Sequence, residues 1–300
     1  MNVASVGKAN KTMRDWILIS LRLAACALFL GRGYLYLSDL GPLSAFFWNQ
    51  DLLEYPLESL TGMSWENYSA HSETLILTIQ RSMGALFLVA AIACWFVRGR
   101  ECKLANGVVL AAAFCLLLYG LLRWSDADFK FAMLLEHSLQ WGTPLLLVLY
   151  GRMQLSIWGS LAAILIAFTF IGHGMYALGF GVPQNNEFVN MTMRLLGVDR
   201  HGALIFLRIA GILDFLAPAL LWFPRSRIPA AAYAAFWGLL TAFARIAAYW
   251  TPAENFYGMH PWIAEAIVRL PHGLVPFSLM LLFIMTGTRL RKSSSPASLS

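Results

Sequence analysis

Histidine, aspartate, glutamate and arginine recur inside stretches of this chain that are otherwise apolar, and chemistry is to be sought there. An ionisable side chain within a bilayer costs about 2.5–3.5 kcal/mol on insertion scales, so each one marks either function or internal pairing. Arg32 and His173 each stand between two glycines at the end of a long apolar run, in Phe29-Leu30-Gly31-Arg32-Gly33 and Phe170-Ile171-Gly172-His173-Gly174. Arg81, Arg208 and Asp214 interrupt later runs, and Arg123 and Arg245 lie toward the ends of others. Glu136, His137, Gln140, Glu265, Arg269 and His272 occupy two more. His173, Asp214 and His272 are the groups that could exchange protons with a substrate. Arg32, Arg81, Arg208, Arg245, Arg269, Glu136, Gln140 and Glu265 are those that could hold a ligand.

Helical spacing narrows which of these can meet. Glu265, Arg269, His272 and Pro276 fall on one stripe, and Glu136, Gln140 and Thr143 on a corresponding one. These faces are the expected pocket walls. Pro144, Pro271 and Pro276 each remove a backbone donor, and a polar pocket could serve the freed carbonyls; the alternative is that they only bend their helices. Arg208 and Asp214 are six residues apart and so cannot pair on one helix; Asp214 needs a partner elsewhere, Arg208 or Arg245 across a helix boundary, or must stay protonated. Arg32, Arg81, Arg123, Arg208, Arg245 and Arg269 outnumber Glu136, Asp214 and Glu265. An excess of guanidinium suits a planar anion such as a carboxylate, phosphate or sulfur oxyanion, unless Arg32, Arg123 and Arg269 snorkel to headgroups. His137 and His272 could ligate haem, but they do not align in the duplication described below, which argues against it. The sequence shows no nucleophile triad, zinc motif, phosphate loop or Cys-x-x-Cys pair, so no metal site is expected.

The elements that must carry these residues follow from composition. The chain is 59% hydrophobic and only 13% charged, against about a quarter charged in a soluble domain. This patterning describes an all-α, polytopic membrane protein. Runs near 16–37, 74–97, 103–123, 131–151, 155–178, 202–223, 228–250 and 262–287 are each long enough to cross about 30 Å of hydrocarbon, which gives eight expected transmembrane helices. Lys8, Lys11, Arg14, Arg98, Arg100, Lys103, Arg152, Arg225, Arg227, Arg289, Arg291 and Lys292 flank the spans on one side. Asp39, Asp51, Glu54, Glu58, Glu66, Glu73, Asp126, Asp128, Glu187, Asp199 and Glu254 lie on the other. The basic side is expected to be cytoplasmic, with both termini on it. The short inner loops and basic start fit a bacterial plasma (inner) membrane. Cys26, Cys94, Cys102 and Cys115 lie toward that side and read as reduced, packed thiols.

The Gly-basic-Gly segment recurs at an offset of 141, placing His173 on Arg32 and Pro183 on Pro42. An offset of 127 puts Arg208 on Arg81, Gly211 on Gly84 and Trp222 on Trp95; 126 puts Trp250 on Trp124; 132 puts His272 on Gln140 and Pro276 on Pro144. Matches in the same order, anchored on Gly, Arg, Trp and Pro, predict a duplication of two parallel four-helix repeats. The expected organisation is a basic tail at 1–15, a first repeat at 16–151, a second at 155–287 and a disordered tail at 288–300.

A four-span unit whose first helix ends in His-Gly, followed by a second with a basic and then an acidic residue, resembles the DoxX-like integral membrane family. His173-Gly174, then Arg208, Gly211 and Asp214, carry the likeness, which covers about 155–285 and more loosely 16–151. The resemblance implies a four-helix membrane unit, here in tandem. For some members it also implies quinone-coupled oxidation of small sulfur compounds or a role in redox stress. The chain departs from the pattern where a lysine is often found after His-Gly: Ala177 and Tyr36 stand there. His173 faces Arg32 in the alignment and Asp214 faces Phe87, so chemistry is expected in the second repeat.

Two functional expectations result. One is a quinone-linked redox enzyme or accessory subunit with an outward-facing arginine- and histidine-lined pocket for a quinone or small anion. The other is a non-enzymatic transporter or binding protein for an anionic lipid or solute. An assembly partner whose polar residues only hold helices together is a third. The expected surroundings are the lipid bilayer and a membrane-protein partner, with no nucleic acid.

Overall fold

Inside a bilayer no water satisfies backbone N–H and C=O groups, so apolar runs of this length are driven into helices that bond internally. A computed structural model describes residues 3–38, 43–99, 101–250 and 256–293. Asp39, Pro42, Arg100, Glu254 and the stretch 294–300 of the expected tail lie outside the described residues. The order is α1 (Val3–Leu37), α2 (Leu43–Phe47), α3 (Gln50–Thr61), α4 (Trp65–His71), α5 (Glu73–Ala93), α6 (Lys103–Asp126), α7 (Phe131–Glu136), α8 (Ser138–Leu149), α9 (Leu155–Leu178), α10 (Asn186–Leu196), α11 (Arg200–Leu220), α12 (Arg227–Tyr249), α13 (Phe256–Val268) and α14 (Pro271–Ser293). No strand occurs among the described residues.

Seven stretches are long and apolar enough to cross a membrane: Asn10–Leu37, Glu73–Phe96, Lys103–Asp126, Leu155–Leu178, Arg200–Leu220, Arg227–Tyr249 and Gly258–Gly287. The expected span at 131–151 is not among them. It breaks at His137 into α7 and α8, of 6 and 12 residues, each too short to cross alone. The last stretch is also broken, between Val268 and Pro271. Pro271 does not interrupt a helix there; it opens α14, where its missing N–H has no helical partner to lose. The basic segment before residue 16 is helical from Val3, and α14 runs on to Ser293. Outward-facing side chains such as Ile92, Leu104, Phe114 and Phe236 are well exposed, an apolar girdle that suits a lipid environment.

Two helices organise the packing. α1 lies against α5 on one side and against α13 and α14 on the other, while α9 lies against α11 and against α7 and α8. Glycines set these contacts. A Cβ at Gly31 would lie 3.0 Å from the carbonyl of Ala264 and 3.2 Å from the N of Val268. One at Gly172 would lie 2.8 Å from the carbonyl of Ala132 and 2.6 Å from the N of Glu136. Gly33 and Gly84 abut each other across α1 and α5, and Gly174 and Gly211 do so across α9 and α11. At Gly172 an added Cβ meets backbone alone, and at Gly31, Gly33, Gly84, Gly174 and Gly211 it meets a neighbouring side chain first, so the small residue is what lets the helices approach.

Gly172→Ala drives a methyl into the α7 backbone and is expected to cost about 1–3 kcal/mol, as overpacking does. Gly31→Ala should cost about as much at the α13 crossing. Gly107→Ala, where an added Cβ meets nothing within 4 Å, should leave stability unchanged or raise it by about 0.5–1 kcal/mol. Thermal unfolding of the three variants in detergent checks the ranking.

Candidate functional site

The glycine crossings carry Arg32 and His173 into the seam between the two halves of the chain. Arg32 is 3% exposed. Its Nη2 donates to Gln140 Oε1 at 2.6 Å, its Nη1 is 4.0 Å from Glu265 Oε1, and its guanidinium lies 4.0 Å above the ring of Tyr119. Glu265 also pairs with Arg269, one helical turn on. His173 Nδ1 is 3.8 Å from Glu136 Oε2, and its ring meets that of His272 edge-on at 5.3 Å. Each base at the end of a long helix therefore faces a glutamate from the other half and a polar residue of its own.

Beside this seam, among α9–α14, lies a cavity of about 380 Å³. His173, Asp214, Thr241, Arg245, Arg269 and His272 supply its polar end. The remaining walls are apolar, and Leu196, Leu240 and Phe243, which line it, are each about half exposed, so the mouth faces sideways between α10, α11 and α12. Arg245 is buried; its Nε is 3.8 Å from Glu187 Oε1 and its Nη1 donates to the carbonyl of Thr241 at 3.2 Å. His272 Nδ1 lies 3.0 Å from the carbonyl of Arg269. A carbonyl only accepts, so Nδ1 carries the proton and Nε2 of the neutral ring is left as an acceptor. That Nε2 is buried and has no partner among the described residues, and neither has Oδ1 of Asp214. The indole of Trp237 is within reach of the Asp214 carboxyl.

The helix that roofs the cavity was legible as a pattern. Phe188, Met191, Thr192 and Leu195 fall at i, i+3, i+4 and i+7 and all line it. Asn185 caps α10 by accepting from the N–H of Glu187 at 2.8 Å, and Gly197, at φ 64°, ends it in the left-handed conformation. Arg194 lies 5.0 Å over the ring of Tyr249, which stacks on Trp262 at 3.8 Å and so pins the roof to α12 and α13. Sequence reasoning missed Glu187 and Trp237, whose partners Arg245 and Asp214 come from other helices, and Thr241, an uncharged residue that a search for ionisable groups passes over.

In the first half, aromatic side chains stand where the expected duplication would place the counterparts of the cavity wall. At the positions aligned with Ala177, Asp214 and Arg245 stand Tyr36, Phe87 and Tyr119. They pack edge-on, Tyr36 to Phe87 at 5.4 Å and Tyr36 to Tyr119 at 6.4 Å, and Phe87 also stacks on Phe29 at 6.0 Å. These rings pack on one another in the first half, whereas Ala177, Asp214 and Arg245 line the cavity of the second.

The structure thus brings His173, Asp214, His272, Arg245 and Arg269 to the cavity and sets Arg32, Glu136, Gln140 and Glu265 behind it. Arg208 and Arg81 are corrections: both are exposed, and neither lines the cavity. The cavity stripe of α11 is Leu207, Ala210 and Asp214, and Arg208, one residue on, points about 100° away. Four of the six arginines face carboxylates, two of them through acids outside the expected set. Glu265 faces Arg32 and Arg269, Glu187 faces Arg245, and Asp126 lies 3.3 Å from Arg123. His137 is outside the cavity, with its Nδ1 2.8 Å from the carbonyl of Met133 and its ring 5.3 Å from Tyr119. All four cysteines are free thiols, and no group of metal-ligating side chains occurs among the described residues. Comparison with protein-family models, curated proteins and solved structures gives no match for this chain.

Removing one partner of a buried ion pair leaves the other charged and desolvated. Glu265 and Arg269 are half-buried, and Glu265→Ala leaves Arg269 without its carboxylate and Arg32 with Gln140, so the expected cost is about 1–3 kcal/mol, below that of a fully buried pair. Glu265→Leu combined with Arg269→Met should cost less than the sum of the single changes. Denaturation of the four proteins in a double-mutant cycle checks this.

Proposed function

We propose that the cavity of the second half binds a neutral, lipophilic molecule with a hydrogen-bonding head, of the quinone or quinol class, taken up from the bilayer. The observation that carries this reading is the pairing of an apolar, sideways-opening chamber with two unpartnered buried acceptors, His272 Nε2 and Asp214 Oδ1. An orphaned buried acceptor is costly, and a ligand hydroxyl would satisfy it. A charged head is the poorer fit, since Arg245 and Arg269 are already opposed by Glu187 and Glu265. A quinone supplies two-electron chemistry linked to two protons. In this chain His272 and Asp214 would hold the head by accepting hydrogen bonds from its hydroxyls and would take its two protons as its two electrons pass to a redox-active membrane-protein partner, and His173 would connect His272 to Glu136. Arg245 and Arg269 would hold the polar end in place through their carboxylate partners.

This reading accords with the quinone link that the resemblance to the DoxX-like family implies, and makes the chain a quinone-linked redox subunit. The eight-segment, twofold-repeated organisation belongs to the same proposal. Its support is that Gly31 and Gly172, and the helix ends at Val268 and Glu136, are separated by the offsets found in the sequence, 141 and 132. Under it the aromatic plug of the first half marks a site closed after duplication. The basic ends of the helices would lie in the cytoplasm of a bacterial cell, with the cavity toward the opposite face.

Mass spectrometry of small molecules extracted from the detergent-purified protein tests the proposal. The wild type should retain a quinone-class molecule, and Ala177→Tyr, which copies the plug, should lose it while unfolding at an unchanged temperature. Arg208→Ala should retain it. An empty wild-type protein, or one that holds an anionic lipid equally in both variants, contradicts the reading.

A further inference from the structure

A second hollow, of about 350 Å³, lies at the other end of the second half. It is bounded by the first turns of α9, the end of α11, the start of α12 and the last turns of α14, on the face where Arg98, Arg152, Arg225 and Arg227 are concentrated. Arg227 stands in its wall. Its guanidinium lies 4.8 Å over the ring of Phe283, which fixes the plane of the group, and its Nε is buried without a partner among the described residues. Opposite, Ser156 and Ser160 come from one face of α9, a turn apart, and both are exposed. Thr286 of α14 also lines the hollow, but its hydroxyl donates to the carbonyl of Leu282 at 3.0 Å, so it offers no proton to an anion and can only accept, as from a headgroup hydroxyl. Trp222, about half exposed, stands at the rim, as indoles do at the headgroup level.

No carboxylate lines this hollow. A guanidinium held over an aromatic ring with a spare donor, the exposed hydroxyls of Ser156 and Ser160, a tryptophan at the rim and aliphatic walls from Leu155, Leu221 and Leu282 suit a phosphodiester with the start of its acyl chains. We infer that this hollow binds the headgroup of one anionic phospholipid from the leaflet on the basic side. The site is separate from the quinone-class cavity and does not depend on that reading.

Native mass spectrometry of the full-length protein, released from detergent after addition of phosphatidylglycerol or phosphatidylcholine, tests the inference. Wild type should carry one phosphatidylglycerol at a concentration where phosphatidylcholine does not bind. Arg227→Gln should weaken that adduct about tenfold, the effect of losing one charge-assisted contact. Ser160→Leu fills the hollow from an exposed position that folding does not need, and should weaken it as well. Arg208→Gln, which removes an arginine at the other end, should not. Equal adducts in wild type, Arg227→Gln and Ser160→Leu, equal retention of both lipids, or displacement of the lipid by millimolar inorganic phosphate would each overturn it.

Discussion

The architecture depends on two backbone-to-backbone crossings, Gly31 against Ala264 and Val268, and Gly172 against Ala132 and Glu136. In a bilayer the hydrophobic effect does not hold helices together, so close packing through small residues must. These crossings lock each long central helix onto the broken helix of the other half. They also decide where the charges go, because Arg32 and His173 are the residues immediately after the two glycines. A guanidinium and an imidazole are thereby driven into a dry seam where each must find a partner, and Glu265, Gln140 and Glu136 are those partners.

The breaks at His137 and between Val268 and Pro271 serve the same end. A continuous helix would satisfy its own carbonyls; a broken one leaves some for side chains to use. The carbonyl of Arg269 holds the His272 ring in one tautomer, and the hydroxyl of Thr169 on α9 accepts from the N–H of Leu139 just beyond the other break. Irregular backbone at membrane depth is tolerated where protein or a cavity lines it. Here one break lies in the packed seam and the other at the polar end of the cavity. Tyr36, Phe87 and Tyr119, which the sequence offsets align with Ala177, Asp214 and Arg245, pack together in the first half, while those three residues line the cavity of the second.

Much of this was legible in the sequence, for physical reasons that differ residue by residue. The seven long helices follow from hydropathy, and His173, Asp214 and His272 were found as ionisable groups in apolar surroundings. The break at 131–151 was not legible: His137 and Ser138 carry no strong helix-stopping signal, and the discontinuity lies just after the segment in which α7 packs against α9. The pairing of arginines was misjudged because Glu187 looks like a loop acid in the sequence and reaches Arg245 only through the fold of α10. Arg208 was misplaced by a single helical step, which periodicity from Asp214 could have revealed. The amphipathic stripe of α10 was present in the sequence, in a segment, 179–201, long enough to cap the bundle.

The account's central claim is that the second half holds a lipophilic head between His272 and Asp214 while aromatic rings fill the first. A high-resolution cryo-electron microscopy map of the protein in nanodiscs of its native lipid tests this most directly. The account predicts density for a planar head beside His272 Nε2 and Asp214, with a chain leaving between α11 and α12, and none beside Tyr36 and Phe87. A map in which the α9–α14 cavity is collapsed, or holds only water, would contradict it.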